Sequence, residues 1–452
     1  MVALEDVRSW VLRNRWVLVL WILATAFFVY QQTTGLSWDF AVYEMNGEYL
    51  CCEGHYFEWT RPPLAPLLMI VSSALALFSW SYAGYVYVTI VSAIFGFASV
   101  KLADSFGLDR KLLYALMLSP YALNMGNFAG TELLTLALLM LGIAYIKDLK
   151  GTGSLGLAAL TRYTAFIFLP LVFFQKNWKK VLASAAVIAL LASPWLLFNR
   201  AEKGDALFSI RNSYALNMAE REGEAMSPQG MHFLIPVGYY LPLLFVGLYF
   251  RHEKGWEEKD LIVVVFTALA IFSYLRAPNK EPRYLFNLIF PAAYFSYYAL
   301  EKHRKVALVA VTLINFILAS AFFVSLSQYP GLDGAIDATG DCMAMSNLWV
   351  PMNYGGKPTE AMAPESLEEL AEEGNRIALF KYVHTYENHV TPDLREDVPV
   401  LEETENYVVF GEDGKCAPEK KADRSFLERE GEARGIEKCE DSLPGFICAV
   451  LP

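Results

Sequence analysis

Six charged residues stand out in this 452-residue chain because each lies beside or inside an apolar run. Arg162 interrupts "LGLAALTRYTAFIFLP", Lys280 and Arg283 stand in "PNKEPRYLF", Arg61 in "EWTRPPL", Asp39 in "LSWDFAVYEMNGEYL" and Glu132 in "GNFAGTELL". An arginine between apolar runs is costly unless it faces a cavity or an anion, and a planar guanidinium fits phosphate oxygens with two parallel hydrogen bonds. Arg162 is therefore expected to bind a phosphate, and Arg283 with Lys280 follows by the same reasoning. A structural ion pair with a loop acid is the competing account for each.

The elements that must position these residues are mostly apolar helices. The chain is 55% hydrophobic and 14% aromatic, with a mean hydropathy of +0.31, outside the usual soluble range. It reads as a polytopic α-helical membrane protein. A first span over Trp16 to Tyr30 follows Arg8, Arg13 and Arg15, which places the N-terminus in the cytoplasm. Further apolar segments lie near 82–100, 112–128, 131–147, 181–198, 231–250, 261–277, 283–300 and 306–327. With two segments that do not simply cross, 64–80 and 154–174, the count is about 11. The second of these is expected to turn near Arg162. With that parity the basic connections "KLADSFGLDRK", "KDLK", "QKNWKK", "RHEKGWEEKD" and "EKHRK" all lie inside. The loops carrying the six candidates, 31–63, 128–132 and 278–283 among them, then reach the outer face.

Charge divides the chain. Residues 328–452 hold 11 Lys+Arg against 26 Asp+Glu, whereas the first 327 hold 26 against 22. The reading is a membrane domain over 1–327 and an acidic soluble domain over 328–452 on the outer face. In the latter "RIALFKYV", "NYVVFG" and "GFICAVL" are β-rich and "PESLEELAEEGN" is helical, which points to a small α/β domain. All six cysteines (Cys51, Cys52, Cys342, Cys416, Cys439, Cys448) fall on the proposed outside, where disulfides form. The four in the tail allow three pairings, and adjacent Cys51 and Cys52 could join only in a strained ring. No Walker loop, GxSxG elbow or HExxH occurs, and the histidines are scattered. An acidic exposed domain does not suit nucleic acid.

Taken in order, an acid just beyond the first span, "RPPLAPLL", "GTELL", "LGLAALTRYTAFIFLP", "SPWLLFN" and "KEPRYLFNLIFP" resemble the GT-C superfamily of membrane glycosyltransferases. The similarity covers about residues 10–300, and the branch it resembles most holds the protein O-mannosyltransferases and the aminoarabinose transferases. The resemblance implies an inverting transfer of a monosaccharide, mannose being one candidate sugar, from a polyprenyl- or dolichyl-phosphate carrier to an acceptor hydroxyl of a protein or glycolipid. Asp39 matches the family's first-loop acid and would be the general base. Glu132 matches its second acidic position, and Arg61 the basic residue that meets the carrier phosphate.

Pro62 and Pro63 would keep the chain non-helical before Leu64, and Phe57 and Trp59 suit a membrane interface. Glu44, Glu48, Glu53 and Glu58 are read as surface residues. A divalent cation, magnesium or manganese, is the candidate cofactor at Asp39 and Glu132, although the lone Glu132 departs from a two-acid metal motif. The acidic domain is expected to select the acceptor. A transporter or flippase of an anionic lipid is the alternative, against which stand the missing internal repeat and the clustering of charge at one face rather than the midplane. Five glutamines and external disulfides fit a thermophilic archaeon.

Overall fold

A computed structural model describes residues 2–219, 229–277, 280–362, 367–383 and 398–424. In chain order its first helices are α1 (Val2–Gln32), α2 (Trp38–Cys51), α3 (Leu64–Leu75), α4 (Trp80–Phe106), α5 (Arg110–Met117), α6 (Pro120–Met125), α7 (Glu132–Ala144), α8 (Leu149–Thr161) and α9 (Trp178–Lys203). There follow α10 (Phe208–Ala219), α11 (Gly230–Val237), α12 (Tyr240–Glu253), α13 (Glu258–Arg276), α14 (Ile289–Leu300) and α15 (Arg304–Ala321). Tighter 3-10 stretches cover Tyr163–Gln175, Pro282–Leu288 and Glu301–His303.

Two compact units share these elements. The membrane unit comprises Met1–Ser37, Pro62–Ala206 and Glu224–Leu326. Among the described residues, four stretches are long and apolar enough to cross a bilayer: Asn14–Gln32, Trp80–Phe106, Trp178–Lys203 and Pro282–Ala321. The pair α11 and α12, bent by 80° at Gly238, passes the same test only when taken together, as a broken span or a re-entrant loop; a side-chain-bearing residue adopts the φ of +53° at Gly238 with strain. The run Pro282–Ala321 is 40 residues long, yet both ends meet α6. Phe286 packs on Tyr121, and the Ala319 carbonyl accepts from Asn124. It therefore folds back at Glu301–His303, within the basic stretch expected to connect two spans.

Other apolar segments are shorter than their hydropathy implies. The segment 112–128 breaks into α5 and α6, because Ser119 caps the new helix through Ala122 N and Pro120 suits a helix start but not an interior. The 12 residues of α3 rise only about 18 Å, short of the ~30 Å hydrocarbon core. Helix α3 begins directly after Pro63, as the Pro-Pro step predicts. At Arg162 the backbone is extended, with φ −146° and ψ 125°, so α8 stops and the chain continues as a 3-10 helix. This is the interruption expected there.

Close helix approach and buried ion pairing hold the unit together. A Cβ on Gly247 would stand 1.8 Å from the Phe295 carbonyl oxygen, so only glycine lets α12 lie this close to α14. Arg251 of α12 grips Asp260 of α13 with two bonds of 2.8 and 2.7 Å. Tyr294 of α14 donates to the same carboxylate at 2.6 Å. Both charges are buried and their hydrogen bonds are supplied, the condition under which a buried pair is tolerated.

The second unit comprises Trp38–Arg61, Leu207–Gly223 and Ser327–Pro452. It thus takes in two segments that the charge division assigned to the membrane domain. Its sheet has the order β2 (Thr359–Ala361), β1 (Ala344–Ser346), β3 (Arg376–Phe380), β5 (Tyr407–Phe410), β4 (Val400–Glu403). β1 runs parallel to β2 and β3, and β5 lies antiparallel to β3 and β4. Helices α16 (Leu332–Thr339), α17 (Trp349–Tyr354) and α18 (Leu367–Glu372) complete it. Met345, Ile377, Leu379, Val408 and Phe410 form one core, and Ala344, Ala378, Phe380, Tyr407 and Val409 another. Burial on both faces explains why β3 and β5 read as continuous apolar runs rather than alternating ones.

Several surface assignments are overturned in this unit. Phe57 and Trp59 are not interfacial; they are 1% and 2% exposed. The Phe57 amide donates to Ala422 O at 3.2 Å, Ala422 N donates to His55 O at 2.7 Å, and Trp59 Nε1 donates to Asp423 O at 2.9 Å. Glu44 is buried at 6% exposure, because it lies on the 14-residue helix α2 within the 31–63 stretch, and that helix packs on α17. Disulfides join Cys342 to Cys416 and Cys51 to Cys52, the latter being the adjacent pair thought feasible only in a strained ring. The third β-rich run, Cys439, Cys448, His384 and His389 lie outside the described residues.

Candidate active site

In the membrane unit Glu132 opens α7, and Arg162 follows the last residue of α8. Their side chains form an ion pair between Arg162 Nη1 and Glu132 Oε1. The second carboxylate oxygen of Glu132 accepts from Thr131 N at 3.4 Å. Glu132 is 3% exposed, and the N-terminal end of a 13-residue helix favours its negative charge. The Arg162 side chain is 18% exposed, so the cation is the more accessible partner. A small cleft of mixed polar and apolar lining lies over the pair, with Thr135, Thr164, Ser273, Arg283, Phe286 and Asn287 among its walls.

The residues around 280 divide. Arg283 lines the cleft and pairs with Glu281. Lys280 is 7% exposed, and its ammonium donates to the carbonyls of Tyr274 at 3.1 Å, Leu275 at 3.0 Å and Ala277. An ammonium has three donors, so Lys280 is committed to the C-terminal end of α13, where carbonyls lack helical partners. From sequence, a lysine four residues beyond a helix end reads the same whether it caps the helix or binds an anion.

In the second unit the helix α2 presents Asp39, Tyr43 and Asn46 at i, i+4 and i+7, hence on one face. Arg61 Nη2 donates to Asp39 Oδ1 at 2.7 Å and Arg61 Nε to Glu58 Oε1 at 2.8 Å. Its guanidinium carbon lies 5.6 Å from the Tyr43 ring centre, within cation–π range. Burial by itself would lower the Arg61 pKa, but Asp39 and then Glu58 outweigh it and hold the group well above its ordinary value. Glu58, read from sequence as a surface acid, is thus a direct partner of Arg61. The helical spacing of Asp39, Tyr43 and Asn46 was the signal that could have exposed this face.

Neither carboxylate suits a divalent cation as it stands. Asp39 is engaged by Arg61 and Glu132 by Arg162, so each is already neutralised by a guanidinium. Among the described residues, no group of three or more His, Cys, Asp or Glu could hold a metal ion.

A bundle of broken and full-length membrane helices joined to an α/β unit is the GT-C architecture of integral membrane glycosyltransferases. The chain matches Glycosyltransferase family 87 over residues 59–296, more than half its length, and belongs to that family. Its fold is similar to that of ArnT from Cupriavidus metallidurans. The crystal structure of ArnT bound to undecaprenyl phosphate aligns with a TM-score of 0.66 at 11% identity, covering 90% of this chain and 100% of that one. The apo crystal structure aligns with a TM-score of 0.60 at 10% identity, over 91% and 98% of the two chains. At such identities the likeness is one of fold. No curated protein sequence matches the chain.

Proposed function

We propose that this glycosyltransferase moves a monosaccharide from a polyprenyl-phosphate carrier to an acceptor hydroxyl, with inversion at the anomeric carbon. The observation that carries the reading is the membrane-unit cleft. It gathers two guanidinium groups, Arg162 and Arg283, beside a single buried carboxylate, a composition suited to a phosphate on a lipid. The similarity of fold to a protein crystallised with undecaprenyl phosphate supports the same ligand class.

Acceptor oxygen attacks the anomeric carbon, the bond from that carbon to the phosphate oxygen breaks, and the carrier leaves as polyprenyl phosphate. The acceptor proton passes to Asp39, whose role rests on its place in the motif after the first span and on general-base chemistry. Arg162 and Arg283 stabilise the charge that builds on the leaving phosphate, and Glu132 orients Arg162; the role of Arg61 in transfer rests, like that of Asp39, on its place in the motif. We assign Lys280 a capping role rather than a phosphate contact. Mannose is the first sugar to test, with the N-terminus in the cytoplasm and the transfer at the outer face.

The test is transfer by purified protein from undecaprenyl- and dolichyl-phosphate mannose and other polyprenyl-phosphate sugars, comparing wild type with Asp39→Asn. Transfer that drops about 10²-fold or more, with undecaprenyl phosphate still bound, supports the reading. Equal transfer by both proteins removes Asp39 as base, and no transfer from any donor overturns the donor class.

A further inference from the structure

The carboxylate of Glu58 is fixed from every side. Its Oε1 accepts from Thr60 Oγ1 at 2.6 Å and Arg61 Nε at 2.8 Å, and its Oε2 accepts from Tyr56 Oη at 3.0 Å. Its backbone is fixed as well. Asn46, 1% exposed, accepts from Glu58 N at 2.8 Å and donates to Glu58 O at 3.0 Å. A loop acid serving only solubility has no need of five such bonds.

The same acid is tied to the α/β sheet elements. Trp349, the first residue of α17, donates from Nε1 to Tyr56 Oη at 3.2 Å. Its ring also packs edge-on against Trp38, the residue before Asp39, at 4.7 Å between centres. A hydrogen-bonded chain therefore runs Trp349, Tyr56, Glu58, Arg61, Asp39, and all of it lies within one unit.

We propose that Glu58 is a positioning residue for Arg61. It holds the guanidinium by the Nε edge so that the Nη2 edge meets Asp39, and the soluble domain sets Glu58 through Trp349 and Tyr56. This rests on the reading that Arg61 and Asp39 act in transfer. A side chain locked by a second layer of hydrogen bonds meets its substrate already oriented, and small errors of placement are expensive in rate. The C-terminal domain is on this account a part of the transfer machinery, and not solely an acceptor selector.

The experiment is a double-mutant cycle, since residues that act as a unit are non-additive. Glu58→Gln and Tyr56→Phe are made in the wild type and in an Arg61→Lys background, because lysine keeps the charge but has no Nε edge to hold. Transfer, affinity for undecaprenyl phosphate and thermal midpoint are measured for each. In the wild-type background Glu58→Gln is expected to lower kcat about tenfold and Tyr56→Phe about threefold, with the thermal midpoints nearly unchanged. In the Arg61→Lys background both effects are expected to vanish.

Equal losses in the two backgrounds, or losses that track a fall in thermal midpoint, overturn the positioning role and leave Glu58 as a structural pin. Full activity of Arg61→Lys together with Arg61→Gln would instead overturn the reading on which the proposal rests.

Discussion

Arg162 and Glu132 form an ion pair at a place where helical backbone is interrupted, the arginine just past the end of α8 and the glutamate at the start of α7. The glutamate is the more deeply buried of the two, so the pair is unequal in what each loss exposes. Arg162→Met leaves Glu132 buried without its cation and is expected to cost about 3 kcal/mol of stability, with loss of undecaprenyl phosphate binding. The double variant Arg162→Met/Glu132→Leu should regain most of the stability and none of the binding. Thermal unfolding and ligand titration on the same preparations check both statements.

Lys280 and Arg283 should separate cleanly. Arg283→Ala is expected to weaken undecaprenyl phosphate binding about tenfold, as removal of a charged hydrogen bond does. Lys280→Ala removes a cap on three carbonyls and should lower the thermal midpoint while leaving that affinity within about twofold. The measurement is the dissociation constant for undecaprenyl phosphate in both variants.

Glu44 gives the second unit a pH dependence. Burial first, and then the neighbouring Glu48, push its carboxyl from 4.5 up to about 8, against an opposing hydrogen bond from Tyr354. The folded protein therefore keeps a proton that the unfolded chain gives up. Below about pH 4.5 Glu44 makes no difference; as pH rises towards 8 stability falls, and above 8 the penalty is constant. Glu44→Gln should remove this decline, a gain on the order of a few kcal/mol at pH 8 and near zero at pH 4. Unfolding midpoints of both proteins across pH 4 to 9 provide the comparison.

The bond between Cys342 and Cys416 spans 74 residues of sequence. Replacing both cysteines by serine frees a long loop in the unfolded chain and is expected to cost about 4 kcal/mol, if loop entropy dominates. Denaturant unfolding of the double-serine variant, followed by tryptophan fluorescence, measures the change.

Much of the fold could be read from local pattern. Long apolar windows, the basic stretch at 301–305, the Pro-Pro step before Leu64 and the polar interruption at Arg162 each act within a few residues, and the backbone responds where they occur. Hydropathy overstated the straightness of several segments. It weighs composition, whereas the cap at Ser119 and the bend at Gly238 are single-residue events.

By itself the sequence determined that this is a membrane protein with arginines and acids placed beside apolar runs, because transfer free energies are properties of single residues and short windows. The tertiary structure alone decided what each charge does. It brought Asp39 to Arg61 and Arg162 to Glu132, buried Glu44, and drew Trp38–Arg61 into the same unit as the C-terminal sheet. The physical reason is range. Ion pairs and hydrogen bonds require atoms within about 3 Å, and the Glu132–Arg162 and Trp349–Tyr56 pairs join residues 30 and 293 positions apart, distances over which no local pattern carries information.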